Sequence, residues 1–239
     1  PRSGDATARG AVFSPDGKRL VRVKGDTAQV CEAGTNKPVG AALKHKQDVR
    51  SATFSPDGKR LLTIAAPPER GGTDTPTWVV RVWDADAGKE VGEPLEHLRD
   101  VSEASFSPDG KQVVTVCLDK KVRVWDAATG AAVGKAMDHN EDVSRALFSP
   151  DGKHVLTTIA DGTVRVWEAA TGREVVKVQH GQTVTHFAFS PDGKQVAIAC
   201  EDGKARMWEV ATGERVGEPM PHDGPVVHAA FSPDGKRLV

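Results

Sequence analysis

The sequence has almost no net charge: 32 Lys and Arg against 33 Asp and Glu leave -1 at pH 7. Without a single-sign field to steer an anionic partner, neither a nucleic-acid binder nor a membrane-surface binder is expected. No apolar run approaches the ~18 residues of a spanning helix. A secretory pattern of basic stretch, apolar core and small-residue cleavage site is missing as well. Cysteine is scarce. Cys31, Cys117 and Cys200 cannot all pair, and none lies in a CxxC, so a reduced, cytoplasmic setting is the expectation. There is no low-complexity tract and no helical period long enough to compete with strand patterns. A Gly-rich phosphate loop therefore has no helix to open.

What the chain has is repetition. FSPDGK starts at Phe13 and returns at Phe54, Phe106, Phe148, Phe189 and Phe231, at intervals of 41, 52, 42, 41 and 42 residues. A period of about 40–45 residues marks a repeat architecture. The long interval is an ordinary repeat with an insertion of roughly ten residues, placed at Ala65 to Thr77. A chain of 239 residues can bury a substantial core and can form one all-β domain.

The third repeat shows the unit. VSEASF is followed by SPDG, whose Pro, Asp and Gly suit a type I turn. KQVVTVC is β-branched and reads as a strand. LDKK turns into VRVWDA, and Thr129-Gly130 turns into a weaker fourth run, AAVGKAMDH. On this reading the glycines serve turns, and Cys117 and Cys200 are small core hydrophobes of the second strand. A four-stranded antiparallel sheet with two partly apolar faces cannot bury both alone. Radial repetition of such sheets is the β-propeller.

Trp83-Asp84, Trp125-Asp126, Trp167-Glu168 and Trp208-Glu209 close the third strands. With FSPDG and VRVW they make the chain resemble the WD40 (WD-repeat) β-propeller family, in a bacterial style of repeat, over nearly its whole length. The expected fold is all-β, with blades at about 6–44, 48–97, 100–139, 142–180 and 183–222 and a partial sixth at 225–239. Five and a half blades imply an incomplete ring, or a fragment of a larger, seven-bladed propeller. The resemblance also implies a polar network of His, Ser or Thr, Asp and Trp within a blade. His97, Thr115, Asp119 and Trp125 match it fully, as do His139, Thr157, Asp161 and Trp167. His45, Thr63 and Trp83 match in the second repeat, whose insertion disrupts the Asp position. His180, Asp202 and Trp208 match in the fifth, where Ile198 replaces the hydroxyl; His222 opens the sixth. The first repeat departs most, with Gly4, Arg22 and Cys31 at the His, hydroxyl and Trp positions.

One histidine per blade cannot converge on a metal, and His/Thr sets tied to a Trp indicate scaffolding rather than nucleophilic catalysis. No cofactor is expected. Two features stand outside the scaffold. The insertion, with Glu69, Arg70 and Asp74, reads either as a binding loop or as a neutral surface insertion. At the start of the first strands, Ser51, Glu103, Arg145, His186 and His228 differ from repeat to repeat, beside Arg50, Ser102, Ser144 and Thr185. The resemblance implies that this rim binds a protein or peptide; the other reading is a solvated face. The expected function is a non-catalytic protein-interaction scaffold. The alternatives are a self-assembling module that completes its sheets with a second copy, and a propeller enzyme using Glu103, Arg145 and His186. The enzyme reading lacks paired carboxylates or a ligand cluster.

Overall fold

The recurring hexapeptide builds a turn whose side chains close on themselves. In the third repeat the Gly110 N–H donates to the Ser107 carbonyl at 2.8 Å. Ser107 Oγ donates to Asp109 Oδ1 at 2.7 Å and accepts from the Gln112 N–H at 2.9 Å, while Asp109 Oδ1 also accepts from the Lys111 N–H. Gly110 takes φ 70°, a left-handed value that a residue with a Cβ adopts only with strain. The same Ser–Asp pairing recurs at Ser14, Ser55, Ser149, Ser190 and Ser232.

These turns join strands in a computed structural model that describes residues 11–66 and 77–239. Five four-stranded antiparallel sheets follow one another along the chain. The first holds β1 (Val12–Phe13), β2 (Arg19–Lys24), β3 (Thr27–Glu32) and β4 (Leu43–Lys44). The second holds β5 (Val49–Phe54), β6 (Arg60–Ala65), β7 (Trp78–Asp84) and β8 (Glu90–His97). The third holds β9 (Val101–Phe106), β10 (Gln112–Cys117), β11 (Lys121–Asp126) and β12 (Ala132–Asp138). The fourth holds β13 (Val143–Phe148), β14 (His154–Ile159), β15 (Thr163–Glu168) and β16 (Arg173–Gln179). The fifth holds β17 (Val184–Phe189), β18 (Gln195–Cys200), β19 (Lys204–Glu209) and β20 (Arg215–Pro221). In the sixth repeat Phe231 bridges Leu238, with paired backbone bonds between Ala230 and Val239. Residues 225–230 precede this bridge and form no strand. Among the described residues there is no helix.

The second strands, β6, β10, β14 and β18, are buried from their second residue onward, with no in–out alternation. Both faces of these strands are covered, so the pattern is a continuous apolar run. The chain forms two compact units, residues 1–119 with 125–132, and 120–124 with 133–239. Within the first, Val21, Val30 and Leu43 pack with Phe54, Leu61 and Trp83. Leu62, Val80 and Leu95 pack with Val101 and Val113. Within the second, Leu156, Val166 and Val176 pack with Phe187, Val196 and Ile198.

Glycines inside fourth strands, Gly92, Gly134 and Gly217, correct the expectation that glycines serve only turns. Gly92 and Gly134 lie inside β8 and β12, with φ 71° and 67°. A Cβ on Gly92 would stand 2.6 Å from the Thr129 carbonyl carbon, and one on Gly130 would stand 2.2 Å from the Glu93 oxygen. The Glu93 N–H donates to the Thr129 carbonyl at 2.9 Å. Thus the TG turn of one blade docks, backbone on backbone, against the outer strand of the blade before it. Gly134 and Gly172 repeat the arrangement with Thr171 and Lys135.

Candidate functional site

Two sets of polar residues stand out, one inside the blades and one at the first strands. The inner set is a directed chain of hydrogen bonds. Trp125 Nε1–H donates to Thr115 Oγ1 at 2.9 Å. Indole N–H is donor-only and a hydroxyl carries one proton, so Thr115 donates that proton to His97 Nε2, 2.9 Å away. The ring proton then sits on Nδ1 and donates to the Leu95 carbonyl at 3.1 Å. Trp167, Thr157, His139 and the Met137 carbonyl repeat the chain at 2.9, 2.8 and 3.0 Å. Trp83, Thr63, His45 and the Leu43 carbonyl make a third copy at 2.8, 2.8 and 3.1 Å. This third copy forms in the blade where the insertion disrupts the Asp position. In the fourth blade the Asp161 carboxylate accepts from the Thr163 N–H, at 2.8 Å. The imidazole finds its second partner in the backbone.

The chain of bonds requires a neutral imidazole, and the surroundings enforce one. Burial, followed by the charge of Arg165, brings His139 down to about 4. Burial and Arg81 lower His45 in the same way. In the fifth blade the chain is broken: Ile198 offers no oxygen, and His180 Nε2 and Trp208 Nε1 are buried without a hydrogen-bond partner among the described residues. Their rings still meet edge to face, with centroids 5.9 Å apart. Burial, followed by the charge of Arg206, holds His180 at about 4.

Sequence reasoning missed the arginine two residues before each of these tryptophans. Arg165 Nη1 reaches Glu174 Oε2 and the Asp138 carbonyl, both at 3.2 Å, and Nη2 reaches Asn140 Oδ1 at 2.9 Å. Its guanidinium carbon lies 5.8 Å from the Trp167 ring. Arg81 Nε stands 3.1 Å from Glu90, an ion pair without hydrogen-bond alignment, and Arg206 pairs with Asp202. The signal was the constancy of Arg in a half-buried strand written VRVW or ARMW.

The outer set follows the first strands. In the first unit Arg50 is exposed and lies over the Trp78 ring, 5.1 Å from its centroid. Ser51 is half-buried opposite Ile64. Ser102 is exposed and donates to the Val116 carbonyl at 3.4 Å, and Glu103 beside it is half-buried. In the second unit Arg145, Thr185, His186 and His228 draw together. Ser144 and Arg145 are exposed, and the Arg145 guanidinium lies 5.7 Å from the Phe187 centroid. Thr185 donates to the Val226 carbonyl. That bond brings residues 226–229 against β17 and sets the His228 ring 3.9 Å from the His186 ring, tilted by 31°. The Ala229 N–H points at His186 Nδ1 from 3.4 Å. Burial, then the charges of His228 and Arg145, lower the His186 pKa. Glu69, Arg70 and Asp74 of the insertion lie outside the described residues.

Among the described residues no group of three or more His, Cys, Asp or Glu side chains could hold a metal ion. No described helix is long and apolar enough to cross a membrane. No curated protein matches the sequence. A family model described as the IFT122 first beta-propeller matches residues 8–239. Five successive four-stranded sheets, the Ser-Pro-Asp-Gly turns and the Trp–Thr–His chains accord with that match, and the chain belongs to the family of IFT122 first beta-propellers, of the WD40 type.

Proposed function

We propose that the chain is a non-catalytic interaction scaffold that binds a protein or peptide partner through the first-strand rim. One observation carries this reading: side chains at equivalent rim positions differ where the scaffold repeats. The position that holds Ser51 in one blade holds Glu103, Arg145, His186 and His228 in others, while the position two before it is always Val and the position three after it always Phe. A position needed only for packing would repeat with the packing; one that reads a partner has no reason to. The test is selection of peptides from a displayed library on the chain, repeated with Arg145→Glu/His186→Glu. Enrichment lost in the variant, with its circular dichroism unchanged, supports the rim. Peptides that bind both forms equally remove the rim from the account.

A second reading, self-association, draws on residues 225–229, which form no strand and leave Val227 73% exposed. An exposed apolar residue on a segment outside any sheet favours association with another chain. Light scattering gives the result directly: a mass of 25.4 kDa at all concentrations excludes self-association, and twice that value supports it.

A further inference from the structure

Resting on the rim reading above, we infer that Arg145, His186 and His228 form the acceptor for a carboxylate side chain of an acidic peptide segment. The three basic groups come from β13, from β17 and from the 225–230 segment, so the site exists only in the folded unit. No ion pair among the described residues involves any of them. The charges acting on His186 are Arg145 and His228, both basic, and β18 sets the uncharged Ala199 opposite it. Basic groups gathered together disfavour one another's protonation, and a bound anion relieves that cost.

The geometry favours a carboxylate over a dianion. Because the Ala229 N–H points at Nδ1, the neutral His186 ring carries its proton on Nε2, which is a donor. Arg145 is the only permanent cation of the three, and the Phe187 ring beneath its guanidinium orients it. One fixed positive charge with the His186 Nε2–H donor beside it matches a single negative charge. A phosphate dianion calls for a cluster of arginines. The groove has an apolar side too. Leu147 follows Arg145 by two residues on β13 and is 40% exposed, while Ala146 and Phe148 are buried. Residues two apart on a strand share a face, so the acceptor reads an acidic residue with an apolar neighbour.

Binding of a carboxylate favours the His186 imidazolium form that burial, His228 and Arg145 oppose in the free chain. Affinity therefore rises as pH falls, by roughly three- to tenfold between pH 8 and pH 6 for one linked histidine.

The experiment is fluorescence anisotropy on the 239-residue chain with three labelled peptides: repeated Glu-Leu, its Gln-Leu counterpart, and one with phosphoserine in place of Glu. The expected result is binding of the Glu peptide, at least tenfold weaker binding of the Gln peptide, and loss of that difference in Arg145→Gln. His186→Gln/His228→Gln should keep binding at pH 8 and lose the gain at pH 6. Equal binding of the Glu and Gln peptides overturns the inference, and so does preference for phosphoserine. A discrimination that survives in both variants overturns the assignment to these residues. If the library selection above yields neutral or basic peptides that still depend on the rim, the scaffold reading stands and the acidic specificity fails.

Discussion

Ile198→Thr should stabilise the protein, although it replaces a fully buried aliphatic side chain by a smaller polar one. Ile198 is 1% exposed, and its place in β18 is that of Thr63, Thr115 and Thr157 in the preceding blades: Thr157 pairs with Arg165, and Ile198 with Arg206. The substitution removes the Cδ1 methyl and replaces the Cγ1 methylene by a hydroxyl, a loss of about 1–3 kcal/mol in burial and packing. It supplies an acceptor for Trp208 Nε1–H and a donor for His180 Nε2, both buried and unpaired now. A net hydrogen bond contributes about 1 kcal/mol, and relieving an unpaired buried group adds about 1–3 kcal/mol. The sum favours the variant by about 1–2 kcal/mol, a rise in Tm of about 3–6 °C for a chain of this size. Urea unfolding and calorimetry measure it. Trp208→Phe in each background completes a double-mutant cycle that isolates the indole bond. Thr157→Ile, the reverse change in the neighbouring blade, should cost about 2–4 kcal/mol. A lower midpoint for Ile198→Thr, or no coupling to Trp208, would refute the hydrogen-bond chain as a stabilising element.

The first blade lacks that chain, with Cys31 and Arg22 at its Trp and hydroxyl positions and two-residue outer strands; hydrogen exchange should find β2 and β3 less protected than β10, and equal protection would contradict the reasoning. Buried neutral histidines make stability depend on pH. His139 and His180 sit at about 4 when folded, and His45 is also lowered. The unfolded chain therefore takes up more protons as pH falls from about 6.5 to about 4, and stability should drop there by about 1–2 kcal/mol per histidine after allowance for partial solvent contact. Urea midpoints unchanged between pH 7 and pH 4.5 would refute this. Below that range the turn aspartates take over. Asp57, Asp109 and Asp192 are lowered chiefly by the Ser hydroxyl bond, so their contribution is present above the ordinary carboxylate pKa and lost as pH falls through the depressed folded values. Gly130→Ala should destabilise by about 2–4 kcal/mol, and Gly217→Ala by about 1 kcal/mol. Both have positive φ, but a Cβ on Gly130 meets the Glu93 oxygen at 2.2 Å and one on Gly217 meets nothing within 4 Å. Equal thermal shifts would mean that the blade-to-blade docking contributes little.

The sequence by itself determined the repeat, the strand order within it and the turn. Those are local: FSPDGK closes on its own Ser and Asp side chains, and β-branched runs of fixed length pair with the neighbour a tight turn presents. It also named the Trp, Thr and His positions, because three identical chains leave three identical imprints. The direction of the proton chain was not legible, since it depends on the Leu95 and Met137 carbonyls, and backbone carbonyls carry no sequence signature. Nor was the role of Gly92 and Gly134, which comes from a turn about 40 residues further along the chain approaching their backbone. The rim shows the same division. Spacing marked Arg145, His186 and His228 as equivalent positions in three repeats. Only the tertiary structure set two imidazoles 3.9 Å apart near the Arg145 guanidinium, because the distance between side chains of separate strands is fixed by how sheets pack, not by their separation along the chain.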